Sequence, residues 1–196
     1  MSNETIFRVV TFFLFVAVPG ISGFFRNRAE RRGGRMTTDE GQRPVLFLRL
    51  AGLIFFLPLL GYLVNPDWVA WARVILPPWV RWLGALGGAL SIPLGYWVFH
   101  SLGLNVSPTQ ATREGHKLVT HGPYHWVRHP LYTVGFFFWL SIILLTGIWW
   151  MAPWLLAAGA FILWRTPREE AKLIETFGDE YRLYMKRTGR YLPRLS

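Results

Sequence analysis

The chain has 196 residues, 52% of them hydrophobic and 17% aromatic, and a formal net charge of +10 at pH 7. A soluble globule reconciles these figures poorly, whereas a membrane protein with basic loops does so readily, because apolar runs of about 20 residues cross the bilayer core as helices. The absence of cysteine excludes disulfides, thiolate nucleophiles and Cys-ligated zinc, and the basic residues fall between apolar runs rather than along one stripe suited to nucleic acid.

In chain order, Ile6 to Phe25 reads as a first span that Pro19 and Gly20 can kink, with Arg8 near enough to its end to snorkel. No basic residue precedes the apolar stretch and no small-x-small cleavage site follows it, so a retained span is expected rather than a signal peptide. Residues 26–44, rich in Arg and Gly, read as a loop, and Val45 to Val64 as a second span. Residues 65–82 carry four tryptophans and the pair Pro77-Pro78, the pattern of an interfacial connection. The third span runs from Leu83 to Phe99, where Gly84, Gly87 and Gly88 let neighbouring helices approach closely.

Residues 100–131 are mostly polar, and Tyr132 to Arg165 is apolar again, interrupted by TGIWWMAP. That stretch is short for two full perpendicular spans and adequate for a compact helical hairpin, counted here as spans four and five. From Thr166 the chain is charged and helix-forming, with Leu173, Phe177, Tyr181 and Tyr184 at helical spacing, which predicts an amphipathic helix stopped near Gly189. The expected architecture is all-α: a polytopic bundle of about five transmembrane helices with a C-terminal cytosolic helix, divided into an N-terminal part (1–100) and a chemically richer half (101–196).

Charge placement supports an odd number of spans. Of the 21 Lys and Arg residues, six lie in the first loop, three in the third (Arg113, Lys117, Arg128) and eight from Arg165 onward, against Arg73 and Arg81 alone on the other side. The rule that cytoplasmic loops hold the basic excess then predicts a cytosolic C-terminus, with both polar segments facing the same compartment.

The first of these segments contains HGPYHWVRHPLY, residues 121–132. Gly122-Pro123 and Pro130 forbid one continuous helix and free backbone groups that need polar partners. A bound polar ligand and an interfacial loop touching headgroups both account for this composition. His121, His125 and His129 recur every four residues, but the intervening Gly-Pro and the lack of neighbouring carboxylates argue against a metal site. In the second segment, Arg165 and Glu169 would share a face of an unbroken helix. Thr166-Pro167-Arg168-Glu169 also reads as a capping box that begins a new helix, with Glu170 and Glu175 on a solvated face.

Together the two segments resemble the isoprenylcysteine carboxyl methyltransferase family, a branch of the phospholipid methyltransferase-like membrane enzymes. The resemblance rests on His116-Lys117-Leu118-Val119-Thr120, Gly122-Pro123-Tyr124 and Arg128-His129-Pro130-Leu131-Tyr132, followed by Arg165, Glu169-Glu170, Phe177-Gly178-Asp179-Glu180-Tyr181 and Pro193, and covers residues 103–194. It implies an integral membrane enzyme that transfers a methyl group from S-adenosylmethionine to a lipophilic acceptor, in keeping with the lack of a glycine-rich Rossmann fingerprint. By position it implies cofactor contacts at His116, Lys117, Leu118, Val119, Tyr124, His129, Pro130, Leu131, Tyr132 and Glu169, with a looser one at Gln110. Arg165 takes the position of the substrate-side arginine, and Arg128 that of the motif arginine, either as a catalytic residue that touches ligand or as a brace for the loop.

Pro167, between Arg165 and Glu169, departs from an uninterrupted helix and bears on whether the two share a face. Two other readings stand beside the methyltransferase: a nicotinamide-dependent reductase akin to sterol reductases, and a non-enzymatic protein whose arginine-rich loops bind anionic lipid. The partners expected are membrane lipids and a lipid-like substrate, possible acceptors being prenylated cysteines, fatty acids, phospholipid amines, isoprenoids and small thiols.

Overall fold

The computed structural model describes residues 3–32, 56–103 and 118–194. Helix α1 spans Asn3–Arg32, α2 is helical from 56 to 64, and a 3-10 turn follows at Pro66–Ala72. Helix α3 spans Pro78–Leu102, a second 3-10 turn covers Gly122–His125, α4 spans Pro130–Thr146, α5 Met151–Phe177 and α6 Asp179–Arg187. Among the described residues, Asn3–Arg31 and Pro78–Leu102 are long and apolar enough to cross a membrane. The expected all-helical membrane architecture is what the chain adopts.

Helix α3 packs against α4 and α1, and its glycines explain the closeness. A Cβ at Gly84 would run into the α4 backbone at Leu145 and Ser141, one at Gly87 into the Ser141 side chain, and one at Gly88 into Leu14 of α1. Phe7, Leu59, Tyr62, Phe138, Ile142, Leu145 and Met151 fill the core near the α4–α5 turn. Exposed Phe13, Leu86, Leu156 and Leu163 face outward, the inverse of a soluble surface. Ser91, Ser141 and Thr146 return their hydroxyls to carbonyls one turn back, so these polar groups stay satisfied within apolar helices.

The turn end is locked by charge. Glu4 accepts bonds from Arg73 at 2.9 Å and Arg81 at 2.7 Å, and the same arginines donate to the α4 carbonyls of Thr146 and Leu145. Arg8 was expected to snorkel. It instead donates to the Leu63 and Val64 carbonyls at 2.7 and 2.6 Å, satisfying the end of α2.

Two sequence expectations are corrected, and a third is described only in part. The first helix continues to Arg32, seven residues into the stretch read as loop. The proposed second span is described only from residue 56, so Val45 lies outside the described residues. No new helix starts at Thr166: α5 runs through Pro167 to Phe177, and Thr166 Oγ1 donates to the Ile162 carbonyl at 2.7 Å instead of capping. The break falls later, at Gly178, whose φ of +57° turns the chain into α6.

Candidate active site

Four pieces of chain meet at the end opposite the turn: the loop 118–129, the start of α4, the polar half of α5 and the tail after α6. Gly122, with φ +60°, brings the loop onto α3 so closely that a Cβ would strike the Ser101 hydroxyl. His129 keeps a non-helical backbone ahead of Pro130, which opens α4 at a position where its missing N–H costs nothing. The tail pairs with the loop. Arg128 N donates to Gly189 O at 2.9 Å, His129 N to Arg190 O at 3.0 Å, and Gly189 N to Trp126 O at 3.1 Å.

The contact that joins the two polar segments is made by side chains. Tyr132, at the start of α4, donates its hydroxyl to Glu169 Oε2 on α5 at 2.8 Å. The His129 ring stacks on Tyr132 with centroids 5.6 Å apart and planes 13° from parallel. Its Nδ1 lies 3.9 Å from Glu169 Oε1. Tyr124 is buried beneath them, its carbonyl accepting from the Tyr184 hydroxyl at 2.6 Å. Burial pushes the Tyr124 phenol above its usual range, with Tyr184 and the Glu169 charge adding to the effect, and burial pushes Tyr184 up to about 12. Both phenols therefore stay protonated donors.

Because α5 is continuous, Arg165 and Glu169 do lie one turn apart on one face, and the Arg165 charge reaches the Tyr132 hydroxyl. Pro167 is exposed on the other side, beside Arg168, whose guanidinium covers the Trp164 ring at 3.8 Å. Of the other sequence-predicted positions, Leu118 and Val119 are half-buried in irregular chain, Pro130 is buried and Leu131 is exposed. His116, Lys117 and Gln110 lie outside the described residues.

Glu170, read from sequence as a surface decoration, is only 2% exposed. It accepts from Arg128 Nε at 2.9 Å and from Arg190 Nη2 at 2.5 Å, with His129 Nε2 at 3.4 Å. Burial opposes its ionisation, but the bonds from His129, Arg190 and Arg128 prevail and hold it down to about 2. Arg128 is turned inward: it also donates to the carbonyls of Met185 and Thr188, so the bonds of its Nε and Nη1 go to protein acceptors. Tyr191, unassigned from sequence, and Thr166, read there as an N-cap, complete the wall, the Tyr191 hydroxyl donating to Thr166 Oγ1 at 2.7 Å. The available sequence signal for Glu170 is its helical phase, four residues beyond Thr166 and so on the same face.

A pocket of about 230 Å³ opens on the other side of the loop, between α3 and α4. Leu94, Trp97, Pro123, Trp126, Pro130 and Pro193 are among its lining residues, which are almost wholly apolar.

Residues 87–175 match the family model for the isoprenylcysteine carboxyl methyltransferase (ICMT) family. The matched stretch is less than half of the chain. Proteins named protein-S-isoprenylcysteine O-methyltransferase are similar to it: the human one is 42% identical over 81 residues, covering 40% of this chain and 28% of that protein. The Xenopus laevis protein is 39% identical over 82 residues, covering 41% and 28%, and that of Schizosaccharomyces pombe is 40% identical over 80 residues, covering 40% and 34%. The matched part thus spans under a third of the length of the first of these relatives. A solved structure of the eukaryotic intramembrane Ras methyltransferase ICMT superposes with a TM-score of 0.53 over 80% of this chain and 54% of that one, at 23% identity, a likeness of fold. The ICMT match includes the loop, α4 and the α5 carboxylates and stops short of the tail.

Proposed function

We propose that the chain is an integral membrane methyltransferase that uses S-adenosylmethionine and acts on a lipophilic acceptor bearing a carboxylate. The observation that carries this reading is the 2.8 Å bond between Tyr132 and Glu169, which brings two segments distant in sequence into one site. The donor set suits the cofactor. Glu170 is ionised and only accepts, so Nε2 of His129 carries the proton of that contact, which turns Nδ1 towards Glu169 Oε1. The Glu169 carboxylate beside Tyr132 and His129 matches a cationic donor such as an amino-acid ammonium.

In this reading His116 to Val119, Tyr124, His129 to Tyr132 and Glu169 hold the cofactor, and Arg128 braces the loop rather than meeting the reacting atoms. When bound, the cofactor supplies an electrophilic methyl group on a sulfonium. Arg165, on the same face as Glu169, pairs with the acceptor carboxylate and aims one oxygen along the line of displacement. A carboxylate needs no general base, so positioning and exclusion of water are the main tasks of the protein. The apolar pocket between α3 and α4 supports a hydrocarbon-bearing acceptor that reaches the site from the bilayer. The basic excess supports a cytosolic location for the site.

Titration of S-adenosylmethionine into the detergent-purified protein, Glu169→Ala and Tyr132→Ala tests the assignment. Both variants are expected to bind at least about tenfold more weakly; equal affinity for all three refutes it. Radiolabelled methyl transfer into fractionated total lipid identifies the acceptor class.

A further inference from the structure

We infer that the tail from Gly189 to Tyr191 is a wall of the proposed cofactor site, and that Arg190 and Tyr191 are positioning residues that fix the His129 ring. The inference rests on the functional reading above and extends it to residues beyond the family match, which ends at 175.

The buried His129 ring stacks on Tyr132 and meets the Tyr191 ring, the latter with centroids 6.0 Å away and planes tilted by 45°. Its rotation is set by Glu170 at Nε2, and Glu170 is itself set by opposing pulls, Arg128 on Oε1 and Arg190 on Oε2. Removing Arg190 frees one oxygen, so the carboxylate can swing towards Arg128 and release the imidazole. Tyr191 is held at both ends: its hydroxyl donates to Thr166 on α5, and its carbonyl accepts from Thr133 Oγ1 on α4 at 2.7 Å. The backbone bond from His129 N to Arg190 O fixes the register of these contacts. At Gly189 a Cβ would strike the Leu192 carbonyl, so the fold-back that presents Arg190 and Tyr191 is tight. The tail thus joins loop, α4 and α5 around one imidazole, the group whose Nδ1 faces Glu169.

Calorimetric binding of S-adenosylhomocysteine is the test, with Arg190→Gln, Arg190→Lys, Tyr191→Ala and Tyr191→Phe, and with Gly84→Ala as a destabilised control at the opposite end. Arg190→Gln and Tyr191→Ala are expected to raise Kd about tenfold, Arg190→Lys and Tyr191→Phe to recover part of that loss, and Gly84→Ala to bind as the wild type does. Equal weakening in Gly84→Ala, or no weakening in the tail variants, overturns the positioning role. A second readout needs no cofactor: the 15N spectrum of labelled histidine should show a His129 signature in Arg190→Gln that differs from the wild type, because the Glu170 contact at Nε2 is loosened. If the wild type binds no S-adenosylhomocysteine, the methyltransferase reading fails and this spectrum alone decides: an unchanged His129 signature in Arg190→Gln refutes the role of the tail.

Discussion

Replacing Glu170 by Gln keeps the shape of the buried hub and removes its charge. The carboxyl is held at about 2 against an ordinary 4.5. At about 1.4 kcal/mol per unit, that difference stabilises the folded state by about 3 kcal/mol near neutral pH. This is an upper value, since the Arg190 side chain is 40% exposed and solvent screens its share. Arg128, only 9% exposed, is the larger concern: without its counter-charge it is a buried cation, a defect that costs about 3–5 kcal/mol. Glu170→Gln should therefore lose about 3 kcal/mol, read from denaturant unfolding in detergent by tryptophan fluorescence. Because the folded pKa is lowered, the contribution is complete above 4.5 and drains away as pH falls from there towards about 2. The wild type should lose stability across that window, while the variant should start lower and lack that part of the slope. Variant stability within about 0.5 kcal/mol of wild type at neutral pH, or an identical acid slope, refutes the hub.

Tyr132→Phe removes one intramolecular bond to a charged acceptor and should lower unfolding stability by about 1.5–3 kcal/mol and raise Kd for S-adenosylmethionine at least about tenfold by calorimetry. Gly84→Ala places a methyl against the α4 backbone and should cost at least about 1–3 kcal/mol. Gly95→Ala, with nothing within 4 Å of the new Cβ, should be neutral or stabilise by up to about 1 kcal/mol; comparing the two unfolding midpoints checks the packing. Arg81→Met should destabilise by about 3 kcal/mol because Glu4 and the Leu145 carbonyl lose a donor, and a double-mutant cycle with Glu4→Gln should show clear coupling.

Much of the fold is written in the sequence as apolar length and punctuation. Pro130 opens α4, Gly147 closes it, and Gly84, Gly87 and Gly88 mark the face on which helices touch, each a local rule with little competition. The failures came where local signals conflicted with tertiary ones. Thr-Pro-x-Glu is a good N-cap in isolation, yet α5 runs through it, Thr166 bonding back to Ile162 and its neighbours packing on the loop and tail. Glu170 is buried by that tertiary contact, which the local capping signal does not encode. Arg8, Arg73 and Arg81 were legible as basic residues near membrane boundaries, but their partners are carbonyls and a carboxylate on other helices, which no residue spacing announces.

The uninterrupted course of α5 also makes it a ruler. From Met151 at its start to Glu169 the helix rises about 27 Å at roughly 1.5 Å per residue, close to the thickness of a hydrocarbon core. In the proposed function, with Trp149, Trp150 and Trp154 at one rim, the α5 carboxylates would emerge at the opposite rim, where the acceptor's polar head would reside. Bilayer thickness would then set how far the proposed site stands above the lipid, and methyl transfer is expected to depend on acyl-chain length even when every residue is intact.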